Sequence, residues 1–170
     1  EFGEALGNII LGPRFSGGSA QANGVAISAR TGVQIAHVRA RLGQDAFSAN
    51  VRQNYGSRCC FPGCRVAEDR FLVGAHIARW SDARELRGDT SNGLCLCLFH
   101  DRAFESGLFT LTAEFRVAAN STKLADSPWA KENIAPHDGK AIRLGAITPA
   151  LNSLRQHWGR IGFLPDGTDA

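Results

Sequence analysis

From residue 43 onward the apolar positions fall into short runs with recognisable periods. Between Gly43 and Gly56, Phe47, Val51 and Tyr55 recur at every fourth position, which sets them along one face of a helix bounded by glycines. Phe71 to Ile77 alternates instead. Phe71, Val73, Ala75 and Ile77 share one side and Leu72, Gly74 and His76 the other, the period of a strand, with His76 near its end. A polar loop from Ser81 to Ser91 leads to an Asn92-Gly93 turn and the apolar run Leu94 to Phe99. A short helix from His100 to Ser106 follows, stopped by Gly107. Leu108 to Leu111 and Glu114 to Ala118 pattern as a hairpin. A loop punctuated by prolines and charges comes next, then a last helix from Pro149 to Trp158 with Leu151, Leu154 and Trp158 on one side. Before residue 33 no period of 2 or 3.6 is sustained, and Gly12-Pro13 and Gly17-Gly18 interrupt the chain. The pattern predicts an α+β chain in three parts: a linker or loosely attached arm over 1–33, a core over 34–119, and an extension over 120–170 whose final helix packs on that core.

Composition narrows this picture. With 170 residues, 44% hydrophobic and 21% charged, the chain is long enough to bury a core and too apolar for disorder throughout. No apolar run approaches the roughly 20 residues that span a bilayer, and the start lacks the pattern of a secretory signal, so no membrane association is expected. The formal net charge is only +3, but 16 of the 19 basic residues are arginine. Seven of them lie between Arg14 and Arg65, against the single acid Asp45. Arginine suits bidentate phosphate recognition, so a polyanionic partner is one reading of this stretch; an ordinary solvated face in an arginine-rich chain is the other.

Five cysteines form two clusters, Cys59, Cys60 and Cys64, and Cys95 and Cys97. Without a secretory signal, a reducing compartment, the cytoplasm, and metal binding are favoured over disulfides. Cys97 and His100 are spaced by three positions at a helix entry, and Cys59 and Cys64 flank the Pro62-Gly63 turn, so the expected structural zinc site is Cys59, Cys64, Cys97 and His100. Cys60 and Cys95 stand as spares if the register differs. Buried free cysteines acting as small core residues are the alternative.

The segments Ala75-His76-Ile77-Ala78-Arg79-Trp80, Ser91-Asn92-Gly93-Leu94 and Leu96 to Phe109, which includes Cys97-Leu98-Phe99-His100-Asp101-Arg102-Ala103-Phe104-Glu105, together resemble the HNH endonucleases, specifically their restriction-type branch. The resemblance covers roughly residues 38–118. It implies a ββα-metal finger: a core with structural zinc, flanking helices and a short hairpin. By that resemblance His76 is the general base and Asn92 braces the loop and orients the His76 ring. The family's ending commonly reads Cys-x-x-His-His-x-Ala-Phe-Asp. Here Asp101 replaces the second histidine, which holds the catalytic ion in the family.

Asp101 is therefore expected either to bind Mg²⁺ or Mn²⁺, ions that favour carboxylate oxygen, or to be a disabling change. In a third arrangement His100 holds the catalytic ion, and Cys95 or Cys60 completes the zinc site. Arg79, Arg84, Arg87 and Arg102 lie beside the motif as candidate phosphate contacts, with ordinary solubilising residues as the alternative. The implied activity is metal-dependent hydrolysis of phosphodiester bonds in double-stranded DNA, and the alternative is a zinc-stabilised DNA-binding module whose nuclease centre has decayed. A homodimer, and a DNA-recognition domain upstream of residue 1, are compatible with both.

Overall fold

The computed structural model describes residues 21–22, 25–26 and 43–166. The chain divides into two compact units, Glu1–Arg39 and Ala40–Ala170. In the first, β1 (Gln21–Ala22) pairs antiparallel with β2 (Val25–Ala26), Gln21 opposite Ala26. The rest of the predicted arm over 1–33 lies outside the described residues.

The second unit opens with helix α1 (Gln44–Asn54), whose predicted face is buried: Phe47, Val51 and Tyr55 are each at most 3% exposed. Removing three such side chains from water contributes about 1.5–3 kcal/mol each. Strands β3 (Leu72–His76) and β4 (Gly93–Cys97) form an antiparallel pair in which Leu72 lies opposite Cys97, Gly74 opposite Cys95 and His76 opposite Gly93. Two glycines let α1 lie directly on this pair. A Cβ at Gly74 would stand 2.7 Å from the Ser48 Cα, and one at Gly93 would collide with Val51. Gly93, expected in a turn, is instead the first residue of β4, where its missing side chain makes room for the helix. The strand predicted from Phe71 begins one residue later, because Asp69–Phe71 forms a 3-10 turn that leaves Phe71 45% exposed.

Helix α2 (Leu98–Glu105) follows β4 without a break and starts two residues before its predicted position, absorbing Leu98 and Phe99. It stops where expected, with Gly107 in the left-handed region at φ 72. Strands β5 (Phe109–Leu111) and β6 (Val117–Ala119) make the second hairpin. Glu114 to Arg116, predicted as strand, belong to the turn, where Phe115 takes φ 59.

The segment read as a loop carries two short helices. These are α3 (Ser121–Leu124), capped by Asn120, and α4 (Pro128–Ile134), capped by Ser127 with Pro128 in its first turn. Helix α5 (Leu151–Ile161) closes the chain. It buries Ser153, Leu154, His157 and Trp158 and leaves Leu151 exposed, a one-turn correction to the predicted face. The Trp158 indole donates to the Leu111 carbonyl at 2.9 Å, and the Ala150 amide to that of Ser91 at 2.9 Å, so the extension is tied to both hairpin and loop. Among the described residues no helix is long and apolar enough to cross a membrane.

Candidate metal centre and cleavage face

The Pro62-Gly63 turn folds the chain back on itself. The Cys64 amide donates to the Phe61 carbonyl at 3.1 Å and that of Cys59 to Val66 at 3.1 Å, with Gly63 at φ 78. Cys97 is the residue before α2, in extended backbone, and His100 sits in the first turn of that helix. Cys59, Cys64, Cys97 and His100 thus converge, their ligand atoms all within 4.8 Å of one another. The Sγ atoms of Cys59 and Cys97 stand 3.5 and 3.1 Å from His100 Nδ1, and those of Cys64 and Cys97 are 4.0 Å apart. A tetrahedral zinc with bonds of about 2.3 Å to sulfur and about 2.0 Å to nitrogen needs edges of about 3.8 and 3.5 Å, so this donor set fits the ion. Phe61 stacks on the His100 ring at 3.9 Å and fixes its plane. The Cys97 thiol is pulled down, first by the hydrogen bond from Cys59 and then by His100, whereas the bond to Cys97 and then burial push Cys59 up, and burial pushes Cys64 up.

The two remaining cysteines stay outside this cluster. Cys60 and Cys95 are buried side by side in the core, the Cys60 amide donating to the Cys95 carbonyl at 2.8 Å. Burial raises both thiols, Cys95 to about 11. They behave as small apolar residues.

A second face is built around the end of β3. The His76 ring stacks on Phe47 of α1, and its Nε2 lies 3.0 Å from the Arg87 carbonyl. Asn92 is fully buried. Its Oδ1 accepts from the Ala78 amide at 2.9 Å, and its Nδ2 donates to the carbonyls of Ala78 and Leu86 at 3.1 and 3.2 Å. One amide side chain thereby clamps both ends of the loop between the strands. The Arg87 carbonyl lies against the His76 ring, and the loop that Asn92 braces is what presents it.

Asp101 is half-buried on α2, its carboxyl raised by burial and then by the neighbouring charge of Glu105. Among the described residues the cysteine–histidine cluster is the one group of three or more metal-ligating side chains, so an ion at Asp101 would take most of its ligands from water and substrate.

The four arginines differ in availability. Arg84 and Arg102 are exposed. Arg87 turns inward, donating to the Trp80 carbonyl at 2.7 Å with its guanidinium over the Trp80 ring. Arg79 is paired with Glu105, which Arg160 of α5 also holds at 3.2 Å. Glu105, Arg160 and His157 escaped the sequence reading. The spacing of Asp101 and Glu105 on one helix face was available, but nothing in the sequence tells where α5 lands.

The HNH endonuclease family matches residues 59–112, the segment that holds the cysteine–histidine cluster, His76, Asn92 and Asp101. No curated protein matches the chain. Among solved structures, a modification-dependent TagI restriction endonuclease is similar at 22% identity and a TM-score of 0.52, over 73% of this chain and 40% of that one. This likeness shows the fold, and the chain spans less than half the length of that structure.

Proposed function

With residues 59–112 an HNH endonuclease segment set in a fold shared with a restriction endonuclease, we propose that the chain is a metal-dependent endonuclease acting on phosphodiester bonds of double-stranded DNA. The observation that carries this reading is the fixing of His76. Because Arg87 offers only a carbonyl, Nε2 of His76 is the donor to it, while the Phe47 ring holds the plane of the imidazole. His76, held in this way, would take the proton of the attacking water. Asn92 supports that placement indirectly, by holding the loop that carries the Arg87 carbonyl. Asp101, with water and phosphate oxygens, would hold Mg²⁺ or Mn²⁺, whose chemistry when bound is to stabilise charge on the phosphate and the leaving 3′-oxygen. Cys59, Cys64, Cys97 and His100 would hold a structural zinc that orders the loops on which α2 begins. Arg79, Arg84 and Arg102 offer phosphate contacts, with Arg87 serving the loop instead. The five free cysteines, four of them buried, suit a reducing compartment such as the cytoplasm.

Plasmid cleavage with Mg²⁺, Mn²⁺ and Ni²⁺, run beside the Asp101→His variant, tests the reading. Cutting by the parent chain with Mg²⁺ or Mn²⁺ is expected. A parent that binds duplex but cuts with no ion, and gains cleavage on Asp101→His, is the decayed binding module instead.

A further inference from the structure

Glu105 stands one turn beyond Asp101 on α2, outside any role assigned above, and is held from two sides. Its Oε1 receives Nε and Nη2 of Arg79, which lies three residues past His76. Its Oε2 receives Nη2 of Arg160, whose Nη1 donates to the Glu105 carbonyl at 3.0 Å. Arg160 Nη2 also lies 2.9 Å from Nδ1 of His157, and the His157 ring stacks flat on Phe104 at 3.9 Å. The chain of contacts runs from the buried face of α5, through the end of α2, to the loop that leaves β3. Two of its members lie beyond the segment that matches the HNH family.

Exposure falls along this chain. The side chain of Arg79 is 46% exposed, that of Glu105 34% and that of Arg160 15%. Two guanidinium groups on one carboxylate leave a net positive charge, and Arg79 is the outer one. The Nε–Nη2 edge of Arg79 faces Glu105, so the Nη1 side of its planar group is directed away from the carboxylate. A guanidinium fixed along one edge offers a phosphate the other at little further cost in side-chain entropy. A partly exposed ion pair contributes only about 0–1 kcal/mol of stability, too little to account for a three-residue arrangement reaching a separate helix. We propose that Glu105, itself anchored by Arg160, is a positioning residue that fixes Arg79 as a phosphate ligand of the cleavage face, so that α5 forms part of the catalytic apparatus. The proposal rests on the nuclease reading above.

The test uses the full chain carrying Arg79→Ala, Glu105→Gln, Arg160→Met, Arg160→Lys or the double change Arg79→Ala with Glu105→Gln, each checked for zinc content and thermal midpoint. Glu105→Gln and Arg160→Met are expected to slow single-turnover duplex cleavage by about 10- to 100-fold, the effect of a misplaced group, while duplex affinity stays within about twofold. Arg160→Lys, which keeps the charge, retains more rate than Arg160→Met. Arg79→Ala lowers the slope of log affinity against log salt by about one. The double variant is no slower than Arg79→Ala alone, since without Arg79 there is nothing left to position. Parental rates in Glu105→Gln and Arg160→Met, or the same loss with and without Arg79, overturn the proposal while leaving the nuclease reading intact. A parent chain that binds duplex without cutting it overturns the nuclease reading, and an unchanged salt slope in Arg79→Ala then removes the phosphate contact as well.

Discussion

The imidazole of His76 lies flat on the ring of Phe47, with centroids 3.7 Å apart and planes 11° from parallel. The stack fixes the plane of the ring, and the Arg87 carbonyl fixes its rotation within that plane. His76→Ala is therefore expected to remove cleavage, by about 10²- to 10⁴-fold, because a general base acts in the transition state. Folding and duplex binding should change little. Cleavage kinetics beside a binding titration check this; a variant that cuts at the parental rate removes His76 from the mechanism.

The cysteine–histidine cluster predicts one zinc per chain in protein purified without added metal, measurable by elemental analysis. Cys64→Ala should lose it and unfold or aggregate, since the binding free energy of a structural zinc, on the order of 10 kcal/mol in small modules, is also folding free energy. Cys95→Ala is the control. Its thiol lies outside the cluster, so the variant should keep the metal at some loss of packing. Retention of zinc by Cys64→Ala and its loss from Cys95→Ala would reassign the ligands.

Much of this arrangement was legible in the sequence, and the boundary is physical. The convergence of the four side chains could be read because spacing at a turn and a helix entry is a local property, and the face of α1 because a 3.6-residue period states what is buried. Local reading failed where the deciding contact is distant. Gly93 reads as a turn until Val51 is brought against it, and Leu151 reads as core until α5 is rotated by the anchoring of Trp158 on Leu111. The helices α3 and α4 are hidden by their shortness, although Ser127-Pro128 is an N-cap signal for the second of them. The link from Arg79 to Arg160 joins residues 81 positions apart and leaves no trace in either neighbourhood.

Gly74→Ala offers a direct check of the α1–strand approach. The added Cβ meets Ser48 backbone at 2.7 and 2.9 Å, which rigid backbone on both sides cannot relieve cheaply. A loss of about 1–3 kcal/mol is expected in chemical denaturation, the usual range for overpacking. Because α1 carries Phe47, cleavage should fall as well. An unchanged unfolding midpoint would mean the helix is less closely seated.

His157 provides a pH signature. Burial, then the nearby Arg160, lowers its pKa from 6.5 to about 3. The unfolded chain therefore binds a proton that the folded chain refuses, and the stability present above pH 6.5 is lost as pH falls toward 3. His157→Phe, which keeps a ring against Phe104, should show a shallower loss over this range, by up to one proton in slope. Denaturation at several pH values measures it; parallel profiles for the two proteins would place the acid sensitivity elsewhere.

Asp101 combines a stability effect and a functional one of opposite sign. Burial and the charge of Glu105 raise its carboxyl, so the ionised form weakens the folded state at neutral pH and the penalty is relieved as pH falls. A divalent cation at the carboxylate would relieve it too. Asp101→Asn should accordingly melt no lower than the parent without added ions, yet lose cleavage and lose the rise in melting temperature that Mg²⁺ or Mn²⁺ gives the parent. Asp101→His should shift the preferred ion from Mg²⁺ and Mn²⁺ toward Ni²⁺ or Zn²⁺, since imidazole suits those ions. Thermal melts and cleavage assays across the same ions give both readouts. An Asp101→Ala protein that still cuts with Mg²⁺ would remove this carboxylate from the metal site and move the catalytic ion to His100.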